Sequence, residues 1–343
     1  MKFPLFLLLL TLPLAVFAKS VKKPEANIEK RKPAKNADAP IVLTTAAPNF
    51  CLFGGQSGKS HSGEAAFKAI VWKSDVVYVG QTHDKPLDHL AQLEALKAMK
   101  IARGSKIAVA FGMLPQSLQP ALNDYADGKL TEEEFLAKAD RETERGADFG
   151  MYKPLFDFIV QNKLRAIALG VPVKVTDKVA RSGLDSLTPD EKQYLPEKVE
   201  LTQHKKYNDY LKGAFGAQAD KRLTVENYLA SLAARNEGMG VRVADFLAVN
   251  PGYSVLVVAG NDSLLYNAAL PASVKARVKD LRQASFYTET AAKCPSDMPI
   301  EHKDLANYLW YLNHPPKPEP AALPALSTAT LPVSPSTPPA PGK

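Results

Sequence analysis

The sequence predicts an α/β fold: a mainly parallel sheet with flanking helices and an additional helical layer inserted before the fourth strand. Three observations carry that prediction. Short apolar runs recur at 75–79, 106–111, 165–170 and 254–259, the right length for buried strands. Helical patterns separate them, which is the signature of βα units and parallel pairing. Each run ends at a glycine (Gly80, Gly112, Gly170 and Gly260), so the chain turns sharply at the carboxyl end of the sheet. That end is where open α/β sheets bind ligands.

Taken in order, the first strand (75–79) leads into the polar cluster Gln81, Thr82, His83 and Asp84. Pro86 then opens a helix in which Leu90, Leu93 and Leu96, with Ala91, Ala95 and Met99, recur at helical spacing. The second strand (106–111) is closed by Gly112 and Met113. Thr131 and Glu134 form a capping box for a helix running towards Glu144. Residues 152–162 are a further helix. The third strand (165–170) has Pro172 behind it and a helix over 174–181. Thr188, Pro189 and Glu191 start a short helix. Residues 204–249 read as largely helical, with a long element from about Thr224 to Val249 stopped by Pro251 and Gly252. The fourth strand (254–259) is followed by Gly260, Asn261, Asp262 and Ser263, the layout of the first strand repeated. Pro271 starts a helix, and 284–288 is a final strand. No repeat of fixed period interrupts this order.

The net charge of +7 looks at first like a nucleic-acid signal. It lies mostly outside the folded body. Lys19, Lys22, Lys23, Lys30, Arg31, Lys32 and Lys35 face only Glu25, Glu29 and Asp38, so the excess belongs to a linker and no nucleic-acid partner is expected. Residues 1–18 have one lysine, a short apolar core and a Val-Phe-Ala end, the pattern of a secretory signal peptide. No other apolar run reaches the roughly 20 residues a spanning helix needs, so the mature chain is expected to lack a transmembrane segment. The expected organisation is signal peptide 1–18, basic disordered linker 19–44, folded body 45–314 and Pro-rich disordered tail 315–343. Export places Cys51 and Cys294 in an oxidising compartment, near the two ends of the folded body. A disulfide stapling entry to exit is expected there, with two free thiols or a soft ligand as the alternatives.

Several chemistries can be weighed at the strand ends. A catalytic metal needs about three protein ligands and an open position for water. His83 and Asp84 begin such a set and Asp262 adds a carboxylate, but no second His follows at the other strand ends. Ser263 lacks the elbow motif of a nucleophilic serine. The loop GGQSGKS (Gly54 to Ser60) is too short for a phosphate loop, with only Phe50 to Phe53 before it, and reads as a flexible entry segment. A large apolar cofactor such as haem asks for an apolar slot and an axial His, Met, Tyr or Cys. His83, His89, Met113, Met239 and Tyr266 are of the right type, although such residues at strand ends are ordinarily packing residues.

From Asp75 to Tyr311 the loops carry a recognisable pattern. It includes VVYVGQTHDKPLDHLAQLE, MLPQSLQPALNDYADGKLTEEEFL, DFGMYKPLFDFIVQNKLRAIALGVP, ENYLASLAARNEGMGVRVADFL, VLVVAGNDSLLYNAALP and ANYLWYL. In these blocks the chain resembles the ChaN-like haem-binding lipoproteins, relatives of the Tiki-type metalloproteases. It departs from them at three loops. Gln81 stands where the family usually has Glu, Gly112 precedes Met113 where Glu is usual, and Ser263 stands where His is usual. The lipid-carrying Cys is absent after the leader, so the resemblance implies a soluble exported protein, periplasmic or secreted.

The resemblance implies a non-enzymatic haem-binding protein of haem or iron uptake. Haem would be held through a tyrosine, often between two subunits, so a homodimer is implied. Tyr266 is the candidate ligand, with His83 and His89 in support, Met113 and Met239 lining the slot, and Asn261 in the same loop. Two rival readings accompany it. One is a degenerate member that meets a protein partner through the crevice or the Pro-rich tail. The other is a Tiki-like metal-dependent hydrolase, for which His83, with Asp84, is what survives of the expected constellation.

Overall fold

The computed structural model describes residues 48–142, 149–216 and 223–313. The expected leader, linker and tail (1–18, 19–44 and 315–343) lie outside the described residues.

The strands are β1 (Cys51–Gly54), β2 (Val76–Val79), β3 (Ile107–Pro115), β4 (Arg165–Gly170), β5 (Ser254–Val258), β6 (Gln283–Thr290) and β7 (Tyr308–Leu312). They form one sheet in the order β1-β7-β6-β2-β5-β3-β4. Every pairing is parallel except β1 with β7. The expected α/β architecture is therefore the one adopted. The central strands are wholly buried, which is why they read as continuous apolar runs rather than alternating ones.

The helices are α1 (Glu64–Lys73), α2 (Pro86–Arg103), α3 (Gln119–Ala126), α4 (Glu132–Glu142), α5 (Phe149–Gln161), α6 (Val173–Ser182), α7 (Pro189–Lys192), α8 (Lys205–Gly216), α9 (Val225–Val249) and α10 (Leu270–Arg277). Helices α6 to α9 make up the expected inserted layer. On one face of the sheet α1, α2 and α5 bury Phe67, Leu96, Met99, Phe156 and Trp310. On the other face α9 and α10 cover Tyr78, Val255 and Val257. Next to that second cluster, α8 and α9 close over Phe53, Leu309 and Tyr311.

Three sequence expectations are corrected. Strands β1 and β7 were not foreseen. The loop at Gly54 to Ser60 is an ordered turn rather than a flexible entry: Gly54 N–H donates to Lys59 O at 2.9 Å and Gly55 N–H to Asn307 O at 2.8 Å. Strand β3 does not stop at Gly112. It runs to Pro115 with a register shift after Phe111, so Met113 lies within the strand.

Cys51 and Cys294 form a disulfide with Cα atoms 5.8 Å apart, joining β1 to the segment that leads from β6 to β7. Both sheet edges are capped by other groups of the same chain, side-chain at β4 and both side-chain and backbone at β1. At β4, Ala168 N–H donates to Gln119 Oε1 at 2.8 Å and Gln119 Nε2 donates to Ala166 O at 3.0 Å. At β1, Leu52 N–H donates to Ser62 Oγ at 3.2 Å and Leu52 O accepts from His61 N–H at 2.8 Å.

Candidate functional site at the carboxyl ends of the strands

Three strand ends, those of β2, β5 and β6, converge on Asn261. Its backbone N–H donates to Gln81 O at 3.0 Å. Its side-chain amide donates to Thr288 O at 3.0 Å and accepts from Thr288 N–H at 3.3 Å. A Cβ on Gly80 would collide with the Asn261 side-chain oxygen, which is why the first strand must end in glycine. Asn261 is thus committed to holding the loops together.

Gln81 is similarly committed. Its Nε2 donates to the Tyr152 hydroxyl, and its Oε1 accepts from Gln92 Nε2 at 2.9 Å. The amide fits a buried chain of hydrogen bonds where an ionised acid would need a compensating charge. His89 is 4% exposed and lies edge-on to Tyr152, ring centroids 4.4 Å apart. Its Nε2 is 3.2 Å from His83 O. The His83 and Asp84 side chains are exposed, and Asp84 reaches Lys85 only at 3.9 Å.

A carboxylate nonetheless reaches this loop, from α2. Asp88 is 1% exposed, and one of its oxygens accepts from Thr82 N–H at 2.6 Å. Burial pushes its carboxyl up to about 7, against the Thr82 N–H, the Thr288 hydroxyl and Lys85, while Glu289 pushes it the same way. Burial also raises Glu289, which Lys85 opposes.

The facing wall comes from α8 and α9. Arg235 donates to Asp262 and lies 3.4 Å from Ser263 Oγ. Around this pair stand Tyr207, Tyr210 and Tyr228. Burial, reinforced by the Asp262 charge, pushes the Tyr210 phenol up to about 12.

Tyr266 lies at the rim of this wall, half-buried. Its backbone is left-handed (φ 58°, ψ 12°), which costs a non-glycine residue about 1–2 kcal/mol. Its N–H donates to Leu305 O at 2.7 Å. The His204 ring stacks on the phenol at 5.3 Å with planes 17° apart. Lys206 Nζ stands 6.0 Å from the ring centroid and 3.1 Å from an Asp304 oxygen. His204 Nδ1 accepts from Tyr207 N–H at 3.3 Å, which leaves the imidazole proton on Nε2. Burial raises the Tyr266 phenol, Lys206 draws it down and Asp304 pushes it up.

The structure therefore divides the residues singled out from sequence. Tyr266 and Asn261 share one loop. The His89 ring packs on Tyr152 and reaches the His83 carbonyl, while the His83 side chain is exposed. Met113 packs with the cluster under α2 and α5, whereas Met239, 2% exposed, packs on the opposite face of the sheet. The two sulfurs do not line a common slot. Among the described residues no group of three or more His, Cys, Asp and Glu side chains is placed to hold a metal ion. Sequence reasoning missed Asp88, His204, Lys206 and Arg235. Asp88 had a signal, an acid in the first turn behind Pro86; the others come from α8, the residue before it and α9, whose approach to these loops is purely tertiary.

A family model described as "Haem-binding uptake, Tiki superfamily, ChaN" matches residues 69–274, most of the described body. The chain belongs to this family. ChaN of Campylobacter jejuni, in a structure described by its cofacial haem binding, superposes with a TM-score of 0.57. That match is 14% identical and covers 77% of this chain and 97% of that one, which establishes the shared fold. A mutant erythromycin esterase, EreC, matches with a TM-score of 0.40 at 12% identity over 70% of this chain and 77% of its own, too distant to carry an argument. Protein RETICULATA-RELATED 5, chloroplastic, of Arabidopsis thaliana is 26% identical over 140 residues, 38% of this chain. The chain spans 19% of the length of that relative. Among the described residues of this ChaN-family chain no helix is long and apolar enough to cross a membrane.

Proposed function

We propose that this chain is an exported, non-enzymatic haem-binding protein of haem or iron uptake that takes ferric haem at Tyr266. The observation that carries the reading is the phenol itself. It belongs to a half-buried residue of the loop after β5, with the Lys206 ammonium and the His204 ring beside it. The other candidate donors fit less well. His89 and Met239 are buried, and the Asn261 and Gln81 amides are already paired. His83 is exposed, and the group it turns towards His89 is its backbone carbonyl.

The residues fit ferric haem in chemical type. A phenolate is a hard, anionic oxygen donor that favours ferric iron, and haem bound there supplies the iron that accepts it. The chain's own part is to hold the phenol, to release its proton and to place cations near it. Because the phenol must lose its proton, binding strengthens as pH rises towards the raised value of Tyr266. One chain presents one such donor at this rim, and a homodimer would complete the coordination from a second copy.

The test is an absorbance titration of the mature chain with ferric haem. A saturable Soret shift near one haem per chain is expected. Tyr266→Phe is expected to weaken binding by at least about tenfold while circular dichroism is unchanged. Wild-type affinity in that variant would remove Tyr266 as the ligand.

A further inference from the structure

The strain in this molecule is concentrated beside the proposed ligand. Five non-glycine residues among those described have a left-handed backbone: Lys163, Tyr266, Asn267, Asp280 and Asp304. Three of the five meet at one junction. Tyr266 and Asn267 are consecutive. Asp304 precedes the Leu305 carbonyl that accepts from Tyr266 N–H, and its side chain holds the Lys206 that overlies the Tyr266 ring. Asparagine and aspartate tolerate the left-handed region because their short polar side chains bond locally; tyrosine has no such compensation. A strained residue persists only where its surroundings over-determine it, and such residues cluster at ligand clamps.

The surroundings here can be named. The segment between β6 and β7 folds back over the loop, and Ser285, a 1% exposed residue of β6, joins the two. Ser285 Oγ donates to Asn267 Oδ1 and accepts from Asn307 N–H at 2.9 Å. Ser285 N–H donates to Asn307 Oδ1 at 3.0 Å. The segment is pinned in turn to Gly55, just after β1. Asp304 N–H donates to Gly55 O at 3.0 Å, and Gly55 N–H donates to Asn307 O at 2.8 Å. A Cβ on Gly55 would run into the Ala306 carbonyl, so the approach is as close as the backbone permits. None of these groups touches the Tyr266 hydroxyl. All of them fix the backbone from which it projects.

We propose that Ser285 is a positioning residue for ligand capture: through Asn267 and Asn307 it clamps the left-handed turn that presents the Tyr266 phenol. The proposal rests on the reading of Tyr266 as the iron ligand. A turn without strain would need no clamp, and a relaxed turn would carry the phenol away from the His204 and Lys206 side chains.

Two variants of the full mature chain test this, titrated with ferric haem and followed by the visible spectrum of the complex. Ser285→Ala removes the hub. Asn267→Gly keeps a residue that adopts the left-handed backbone freely but removes the acceptor that Ser285 holds. Both are expected to weaken binding by about tenfold and to broaden or shift the tyrosinate-to-iron charge-transfer band. Asn267→Asp, which keeps the acceptor oxygen, is expected to restore both. A lost side-chain contact with only a structural role would lower the unfolding midpoint and leave the band unmoved. Wild-type affinity and spectrum in Asn267→Gly would overturn the clamp while leaving Tyr266 as the ligand; if Ser285→Ala fails to fold, Asn267→Gly decides alone. Absence of a saturable shift in the wild type would remove the Tyr266 reading, and the clamp with it.

Discussion

Replacing Asp88 with Asn should make the protein more stable at pH 8 and leave it nearly unchanged at pH 4. The carboxyl is buried, and its value in the fold is raised from 3.8 to about 7. The folded state therefore prefers the protonated acid. Stability from this group is fully present below the unfolded value and is lost as pH rises towards 7. A shift of about three units at roughly 1.36 kcal/mol each gives an upper bound of about 4 kcal/mol. The Asn oxygen can still accept from Thr82 N–H, so the loop keeps its bond while the buried charge is removed. Urea unfolding of both proteins at pH 4, 6 and 8 measures this directly. Parallel stability profiles for wild type and variant would refute the idea that burial raises the Asp88 carboxyl in the fold.

The remaining predictions concern its neighbours and the staple. Gln81→Glu puts a second acid into the buried hydrogen-bond chain of Tyr152 and Gln92, and should cost about 1–3 kcal/mol at pH 7. Thermal melts should show that loss shrinking as pH falls towards 4. Cys51→Ser opens a loop closed over 243 residues and should destabilise by about 2–5 kcal/mol. Denaturant unfolding with and without a dithiol should give the wild type the same loss on reduction and the variant none.

Much of the fold was legible because its central strands are buried on both faces. Runs such as VVYV and SVLVV carry no polar alternation, and helical patterns of ordinary length lie between them. The Thr131–Glu134 capping box was equally legible, since both of its bonds are local: Thr131 N–H donates to Glu134 at 2.8 Å and Glu134 N–H to Thr131 Oγ1 at 3.2 Å. Strand β1 was not legible. It has four residues, and its ladder partner Tyr311 pairs with Cys51 from the far end of the body. The strand-end loops were found from their glycines, but which of their residues would be free was not. Asn261 and Gln81 look like ligand groups in sequence and are spent on cross-loop bonds in the fold. The two methionines read like one slot and occupy opposite faces: Met113 keeps the alternation of Val109 and Phe111, while Met239 comes from α9 on the other side. In sequence Asp88 is an ordinary first-turn acid, and only its burial gives it chemistry.

The capped margins of the sheet have a consequence for how the protein meets its own kind. An open edge is a template on which a second chain can crystallise as another strand, the first step towards fibrils. Gln119 at one margin, and Ser62 with His61 at the other, occupy donor and acceptor positions such a strand would use. The sheet behaves as a finished weave with its selvedges sewn in. Growth by adding strands at either margin is thereby blocked.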